Sequence, residues 1–396
     1  MDRRKFLKQS SLASSLFMVP SFVRAFEKVA SNKLGYKRLV IIQLSGGNDG
    51  LNTVIPFRND LYYKERPTLG IAKKDVIKLN DEVGLNPSLK PLKRLYDKGY
   101  LSIINNVGYP NPIRSHFRSM DIWQTATDSD AYSQSGWIGR YLDNYGKHPY
   151  SAIEVDESLS LAMMGENLNA IATQNPKALY NLSKDPYFKK IHNHHNDVHL
   201  SEHNLGYLYK SMIAAESSAK YIFETSKTVS TTKEYPNNKF GKQMKTTAQF
   251  INSNLETKVF YTSLDGFDTH VNQLKKQNKL LSIYASCVEV FVQDLKDNNT
   301  FKDTLILTFS EFGRRVKQNA SVGTDHGTAN NVFVIGENLK KQGLYNNMAG
   351  LSDLDDNGDL KFEIDFRTIY ATVLNKWLEA DDNNVLNKSY NQLDFI

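Results

Sequence analysis

The chain has 396 residues, 40% hydrophobic, 23% charged and 11% aromatic, a globular composition able to build one large core or two ordinary ones. Its formal charge of +6 is concentrated at the start, leaving 44 bases against 42 acids beyond residue 25, and no dense Lys/Arg block remains to suggest nucleic acid or an anionic membrane. The single cysteine, Cys287, excludes an internal disulfide framework and any cysteine-rich zinc site, and its apolar helical surroundings make it a small buried hydrophobe.

The N-terminus reads Arg3-Arg4-Lys5-Phe6-Leu7-Lys8, then a mild apolar stretch over 12–23, then Arg24-Ala25. This is the pattern of a twin-arginine export signal over 1–25. Its apolar run, broken by serines and Pro20, is too short to cross a bilayer of ~30 Å. The expectation is an exported, periplasmic protein delivered by the twin-arginine translocase, with no transmembrane segment in its mature form.

The first strand is expected at 38–45 (RLVIIQLS), a continuous apolar run of the kind buried in a parallel sheet, ending in the turn Gly46-Gly47-Asn48-Asp49-Gly50. Helical spacing follows at 87–98, a strand at 101–107, and helices at 115–125 and 136–145. Residues 150–235 are polar and rich in Asn, His and Lys, with helix around 205–227, and are expected to form an insertion or cap. Helix 239–254, strand 258–263, helix 271–296, strands 304–309 and 332–335, and helix 366–379 complete the chain. This alternation predicts a single α/β domain over 36–396, a doubly wound and mostly parallel sheet with helices on both faces.

In such sheets ligands lie beyond the carboxyl ends of the strands. Three strands end in polar, potentially ligating residues: Asn48 and Asp49 after the first; Asp265, Asp268 and His270 (LDGFDTH) after 258–263; Ser310, Glu311, Arg314 and Arg315 (SEFGRR) after 304–309. Asp325 and His326 (GTDHG) precede the strand at 332–335. Carboxylates and imidazoles converging on one rim suit a divalent ion of the zinc, manganese or calcium type, with Asp49, Asp268, His270, Glu311, Asp325 and His326 as candidate ligands. Arg314 would neutralise a bound phosphate or sulfate through its planar fork. Arg114, Ser115 and His116 at a helix start extend that anion site; Ser115 is the candidate nucleophile and His116 its catalytic neighbour.

Two other stretches attract attention. His192, His194, His195, His199 and His203 have some metal-like spacing but no neighbouring strand end, and are expected on a solvated surface. Asp353-Leu354-Asp355-Asp356-Asn357-Gly358-Asp359 matches the first half of a calcium loop, yet position twelve is Ile364, so an Asn-Gly hairpin turn before a strand at 360–364 is expected instead.

The stretches LSGGNDGLNTVIPF (44–57), SHFRSMDIWQT (115–125), SGWIGRYLD (135–143), DGFDTHVNQ (265–273), TFSEFGRRVKQN (308–319) and GTDHGTANNVFVIG (323–336), with the leader, resemble the exported bacterial family catalogued as domain of unknown function 1501. That family is in turn similar to the alkaline phosphatase and sulfatase superfamily, metal-dependent hydrolases on a doubly wound sheet. The resemblance implies that Asp49 matches the acid after the first strand, Asp268 and His270 the Asp/His ligands of one metal, Glu311 the acid after a late strand, and His326 the histidine before the last core strand. The chain departs from the superfamily in carrying Glu311-Phe312-Gly313 where Asp-His-Gly is usual, and it lacks the sulfatase nucleophile motif. The implied function is an exported metal-dependent hydrolase acting on a small anionic ester or glycan, of the phosphate or sulfate class. Two alternatives stand beside it: a non-catalytic binding protein on a hydrolase-like fold, and a serine esterase in which Asn48 of the Gly46-Gly47-Asn48-Asp49 block serves the oxyanion.

Overall fold

Strand β1 (Arg38–Ser45) lies inside the sheet, hydrogen-bonded in parallel to β8 (Val259–Asp265) on one side and to β9 (Thr304–Phe309) on the other. Because successive side chains on a strand point to opposite faces, its unbroken apolar run covers both. Leu39 and Ile41 enter one core with helices α3 (His116–Thr125), α4 (Trp137–Tyr145) and α9 (Phe366–Lys376). Val40, Ile42 and Leu44 enter the other, with α2 (Lys90–Asp97), α7 (Lys239–Asn252) and α8 (Gln273–Asp297). Each such fully buried aliphatic side chain contributes about 1.5–3 kcal/mol. Cys287 packs inside the second core as an apolar residue.

The computed structural model describes residues 36–184, 186 and 204–396, with side chains of the helix that begins at 204 described from 215; the leader and the histidines from His192 to His203 lie outside them. Among the described residues nine strands form the main sheet, in the order β11 (Gly343–Leu344), β5 (Leu101–Gly108), β10 (Asn330–Ile335), β9, β1, β8, β6 (Ala152–Glu154), β7 (Ile171–Ala172), with β12 (Ile364–Asp365) also on β5. Among the described residues no helix is long and apolar enough to cross a membrane.

Three details differ from the sequence expectation. Residues 150–235 are not wholly an insertion: β6 and β7 extend the sheet beyond β8, and their two or three residues are too few to display a period. The strand expected at 360–364 is reduced to β12 and an isolated bridge between Leu354 and Leu360. Most consequential, β10 runs antiparallel to both β9 and β5 within an otherwise parallel sheet. The chain entering β10 therefore lies at the same rim as the chain leaving β1, β5, β8 and β9.

At the end of β6, burial pushes the Glu154 carboxyl up to about 7, over the opposing hydrogen bonds from Ser160 N (2.6 Å) and Ser160 Oγ (3.0 Å). A carboxyl raised in the folded state binds its proton more tightly there than in the unfolded chain, where it titrates near ~4.3. Stability should thus fall as pH rises from about 4.3 to 7 and then level off. Urea unfolding across this range should show that slope in the wild type and its loss in Glu154→Gln, which at pH 8 should be the more stable protein by on the order of 1–3 kcal/mol.

Candidate metal centre

Five segments meet on this rim: 46–49 after β1, 109–116 after β5, 266–270 after β8, 310–314 after β9, and 324–328 ahead of β10. Their close approach depends on two glycines. Gly46 has φ +115°, and a Cβ there would stand 2.4 Å from Asp268 N; a Cβ on Gly47, at φ +69°, would collide with the Phe312 ring at 2.3 Å. Arg314 then stitches the segments together. Its buried guanidinium donates to the carbonyls of Gly46 (2.5 Å), Gly47 (2.7 Å), Phe267 (3.2 Å) and Thr324 (2.8 Å), and to Asp268 Oδ1 (2.7 Å). A bridge between Arg314 and His326, with Gly313 N–H donating to Thr328 O and Gly327 N–H to Gly313 O, sets the register of the last segment.

Three imidazoles are oriented by what accepts their Nδ1–H groups. His116 faces the Glu311 carboxylate (2.9 Å), His326 the Arg114 carbonyl (2.7 Å), and His270 the Asp325 carboxylate (3.2 Å). A carbonyl or an ionised carboxylate can only accept, so each Nδ1 carries the hydrogen and, in the neutral imidazole, each Nε2 presents a lone pair. Those Nε2 atoms turn toward Asp268 Oδ1, at 3.4 Å from His116, 3.4 Å from His326 and 3.0 Å from His270. His270 Nε2 and His326 Nε2 are 2.9 Å apart.

This donor set fits a metal ion. The ligand atoms of His116, Asp268 and His326 all lie within 4.8 Å of one another. Donors surrounding a tetrahedral ion at ~2.0–2.1 Å stand ~3.3 Å apart, close to the separations to Asp268. His116 Nε2 is buried and has no hydrogen-bond partner among the described residues, an orphan that a metal ligand would be. Nδ1–H groups held by carboxylates and a carbonyl are the outer support that metal-binding histidines use.

The electrostatics divide the three side chains. The Glu311 hydrogen bond raises the proton affinity of His116 against the opposing effect of burial, while burial lowers that of His326. Burial would raise Asp268, but Arg314, with His270 and His326, holds its carboxyl well below the usual carboxylate range. Asp268 is therefore an ionised, acceptor-only group at neutral pH.

A model described as "Protein of unknown function (DUF1501)" matches residues 96–389. The chain belongs to this family. The DUF1501 match contains His116, Asp268, His270, Glu311 and His326 and begins after Asp49. No curated protein matches the chain. Among solved structures it is similar to the lipoteichoic acid synthase LtaP from Listeria monocytogenes, at 12% identity over 91% of this chain and 74% of that one, TM-score 0.38. It is similar to the sulfatase PsFucS1 from Pseudoalteromonas sp., at 12% identity over 94% and 73%, TM-score 0.41. It is also similar to a protein in the alkaline phosphatase superfamily from Vibrio parahaemolyticus, at 11% identity over 78% and 61%, TM-score 0.34.

The site expected from sequence is rearranged in this DUF1501 chain. Asp268, His270 and His326 come together, and His116 joins them, its Nε2 turned toward Asp268. Glu311 and Asp325 instead stand behind His116 and His270. Asp49 is separated from the cluster: fully buried, it pairs with Arg66 Nη1 at 2.6 Å, accepts from Gln273 Nε2 at 2.5 Å, and caps the turn at Leu51 and Asn52. Asn48 is buried, with its amide engaged by Thr53 and Gln277, which removes the oxyanion donor of the esterase alternative. Arg314 spends its donors on backbone carbonyls and Asp268, and Arg114 pairs with Asp355 and Asp359, so neither guanidinium is free for an anion. Ser115 is exposed at the N-cap of α3, its hydroxyl not engaged in capping.

Sequence reasoning missed Arg66 and the closeness of His116 to Asp268 and His326. For His116 a signal existed: SHFR follows a strand that ends on the same rim. Replacing Arg66 with Met should strand the Asp49 charge and destabilise the fold by about 3–5 kcal/mol in denaturant unfolding. In metal analysis, Asp49→Asn should retain a bound divalent ion and Asp268→Asn should lose it. Equal losses in both variants would place Asp49 among the ligands.

Proposed function

We propose that this DUF1501 protein is a metal-dependent hydrolase of phosphate or sulfate esters. The observation that carries the reading is the convergence of three Nε2 lone pairs on one ionised carboxylate, with every Nδ1–H already committed. Three imidazoles and one carboxylate favour zinc or a related first-row transition ion over calcium, which takes six to eight oxygens. His116, Asp268 and His326, with His270 as a fourth donor, would hold the ion. A divalent ion there supplies a Lewis acid for an ester oxygen.

The surroundings favour an anionic substrate. The N-terminus of α3, a ten-residue helix with no side-chain cap, begins at His116 and directs its positive end toward the centre. Lys276 lies beside Asp268, its Nζ 3.3 Å from the Asp268 carbonyl, and Arg315 remains partly exposed next to Arg314. Ser115, at that helix start, is the chain's candidate nucleophile. A neighbouring cavity of about 280 Å³, walled chiefly by Tyr109, Ile113, Trp123, Phe312, Leu360 and Phe362, suits the apolar part of an ester. Phe312 links the two spaces, its ring centroid 4.8 Å from those of both His116 and His326.

A second reading, a protein that binds anionic esters without turnover, is favoured by the engagement of Asp49, Asn48 and Arg314 in structural contacts. In either case export through the twin-arginine translocase to the periplasm is proposed from Arg3 and Arg4; Arg3→Lys/Arg4→Lys should hold the chain in the cytoplasm on fractionation.

Zinc-loaded protein should hydrolyse aryl phosphates or aryl sulfates, and Asp268→Asn or His326→Gln should lower kcat/KM by about 100-fold or more. Ile113→Trp, which adds bulk to the cavity lining, should raise KM for aryl esters while leaving methyl esters unchanged. Tight binding of intact esters with no product in any metal form would establish the second reading; failure to bind any divalent ion stoichiometrically would overturn the first.

A further inference from the structure

The loop 353–359, expected as a simple turn, does more than reverse the chain. The turn is closed by its own backbone and by Asp355: Asp355 N–H donates to Asp359 O (2.9 Å), Gly358 N–H to Asp355 O (2.9 Å), and Asn357 N–H and Asp359 N–H to Asp355 Oδ1 (2.9 and 2.8 Å). None of these bonds uses the Asp359 carboxylate. It is nevertheless fully buried, a placement that costs several kcal/mol for an ionised group without a partner.

Its partner is Arg114. Arg114 Nε donates to Asp359 Oδ2 at 2.7 Å, Nη2 also contacts that oxygen, and Nη2 reaches Asp355 Oδ2 at 3.3 Å. The same arginine presents its carbonyl to His326 Nδ1–H at 2.7 Å. The other carboxylate oxygen, Asp359 Oδ1, lies 3.6 Å from Arg315 Nε, and Arg315 N–H donates to Asp325 O at 3.1 Å. At the far end of the loop, Leu360 O accepts from Thr328 Oγ1, two residues beyond His326. A single buried acid thus stands between two arginines whose backbones bear on the segment that carries His326.

We infer that Asp359 is a positioning residue for the histidine–aspartate centre, fixing Arg114 so that its carbonyl holds His326 with Nε2 toward Asp268. The inference rests on reading that cluster as a metal centre. A histidine ligand whose outer partner is lost typically gives up 10–100-fold in metal affinity, because the ring must then be oriented at the moment of binding. Asp359→Asn keeps the shape of the side chain but removes the charge that holds the guanidinium. Asp353, in the same loop but on its surface and paired with Lys361, supplies the control.

Zinc affinity of the full chain, measured by competition with a chromophoric chelator, should fall by about 10-fold or more in Asp359→Asn and stay within about 2-fold in Asp353→Asn. Arg114→Met, which keeps the carbonyl but frees it from Asp359, should lose a similar amount, and the double variant should be no worse than Arg114→Met alone. A second readout is independent of metal. Imidazole ¹⁵N spectra of the metal-free protein should show His326 as the Nδ1–H tautomer in the wild type and in Asp353→Asn, and as a mixture in Asp359→Asn. Wild-type affinity together with an unchanged tautomer in Asp359→Asn, or additive losses in the double variant, would overturn the inference. Should the wild type itself take up no zinc, the metal reading fails, and the tautomer spectra alone then decide the positioning role. Should Asp359→Asn not fold, the Arg114→Met spectra decide it: a mixed tautomer supports the role, and an unchanged one refutes it.

Discussion

The site depends on the burial of one guanidinium. Arg314 reaches carbonyls at the end of β1, at the end of β8 and ahead of β10, and then Asp268. A cation out of water is tolerated only when its donors are met with good geometry, and here carbonyls from three segments and a carboxylate meet them. The consequence runs in both directions. The segments cannot separate without exposing unmet donors, and Asp268 cannot turn away from the histidines without losing its charged partner. A lysine could not substitute, since one ammonium lacks the planar fork that spans Gly46, Gly47 and Thr324. Arg314 is in this sense the frame of the centre, and its role is positional.

The reversal of β10 explains why four side chains from distant parts of the chain meet at all. In a wholly parallel sheet the segment entering a strand lies at the opposite edge from the segments leaving its neighbours. His326 precedes β10, whereas Asp268 and His270 follow β8 and His116 follows β5. One antiparallel strand carries His326 across to the carboxyl rim, and its pairing with both β9 and β5 leaves the continuity of the sheet intact.

That reversal also marks how far the sequence could be read. The β1 run RLVIIQLS announced a strand buried on both faces because alternate residues must each find a core, and the helices on either side followed from their spacing. The DTH and SEFGRR segments were legible as strand-end chemistry for the same reason. Strand direction, however, leaves no mark in a run such as NNVFVI, where every residue is buried in either orientation. Nor does a sequence distinguish an acid that will stay open to a cluster of histidines from one that an arginine will seal away. Asp49 and Asp268 both follow parallel strands and both pair with an arginine; they differ in that Arg66, 17 residues on, folds back to bury the first completely, while the second stays half exposed beside the histidines. Asp359 was hidden in a similar way, since its turn is sufficiently explained by Asp355 and Gly358.

The pairing of Asp49 with Arg66 bears on what kind of centre this is. On the proposed metal reading, a second ion would need an anionic ligand at the end of β1, and that charge is already neutralised by a guanidinium 2.6 Å away, with both side chains fully buried. Arg66 also donates to the carbonyls of Arg315 and Val316, so the place is braced against the segment that carries Arg314. A tethered cation does not exchange and does not change its coordination, and what it gives the fold is a fixed corner. The permanent positive charges of Arg66 and Arg314 thereby serve the architecture, and on the proposed metal reading the exchangeable one is left to the open cluster of His116, Asp268, His270 and His326. Separating the two functions has a physical advantage: the imidazoles are oriented by a carbonyl and two carboxylates that belong to the fold, which preorganises the cluster.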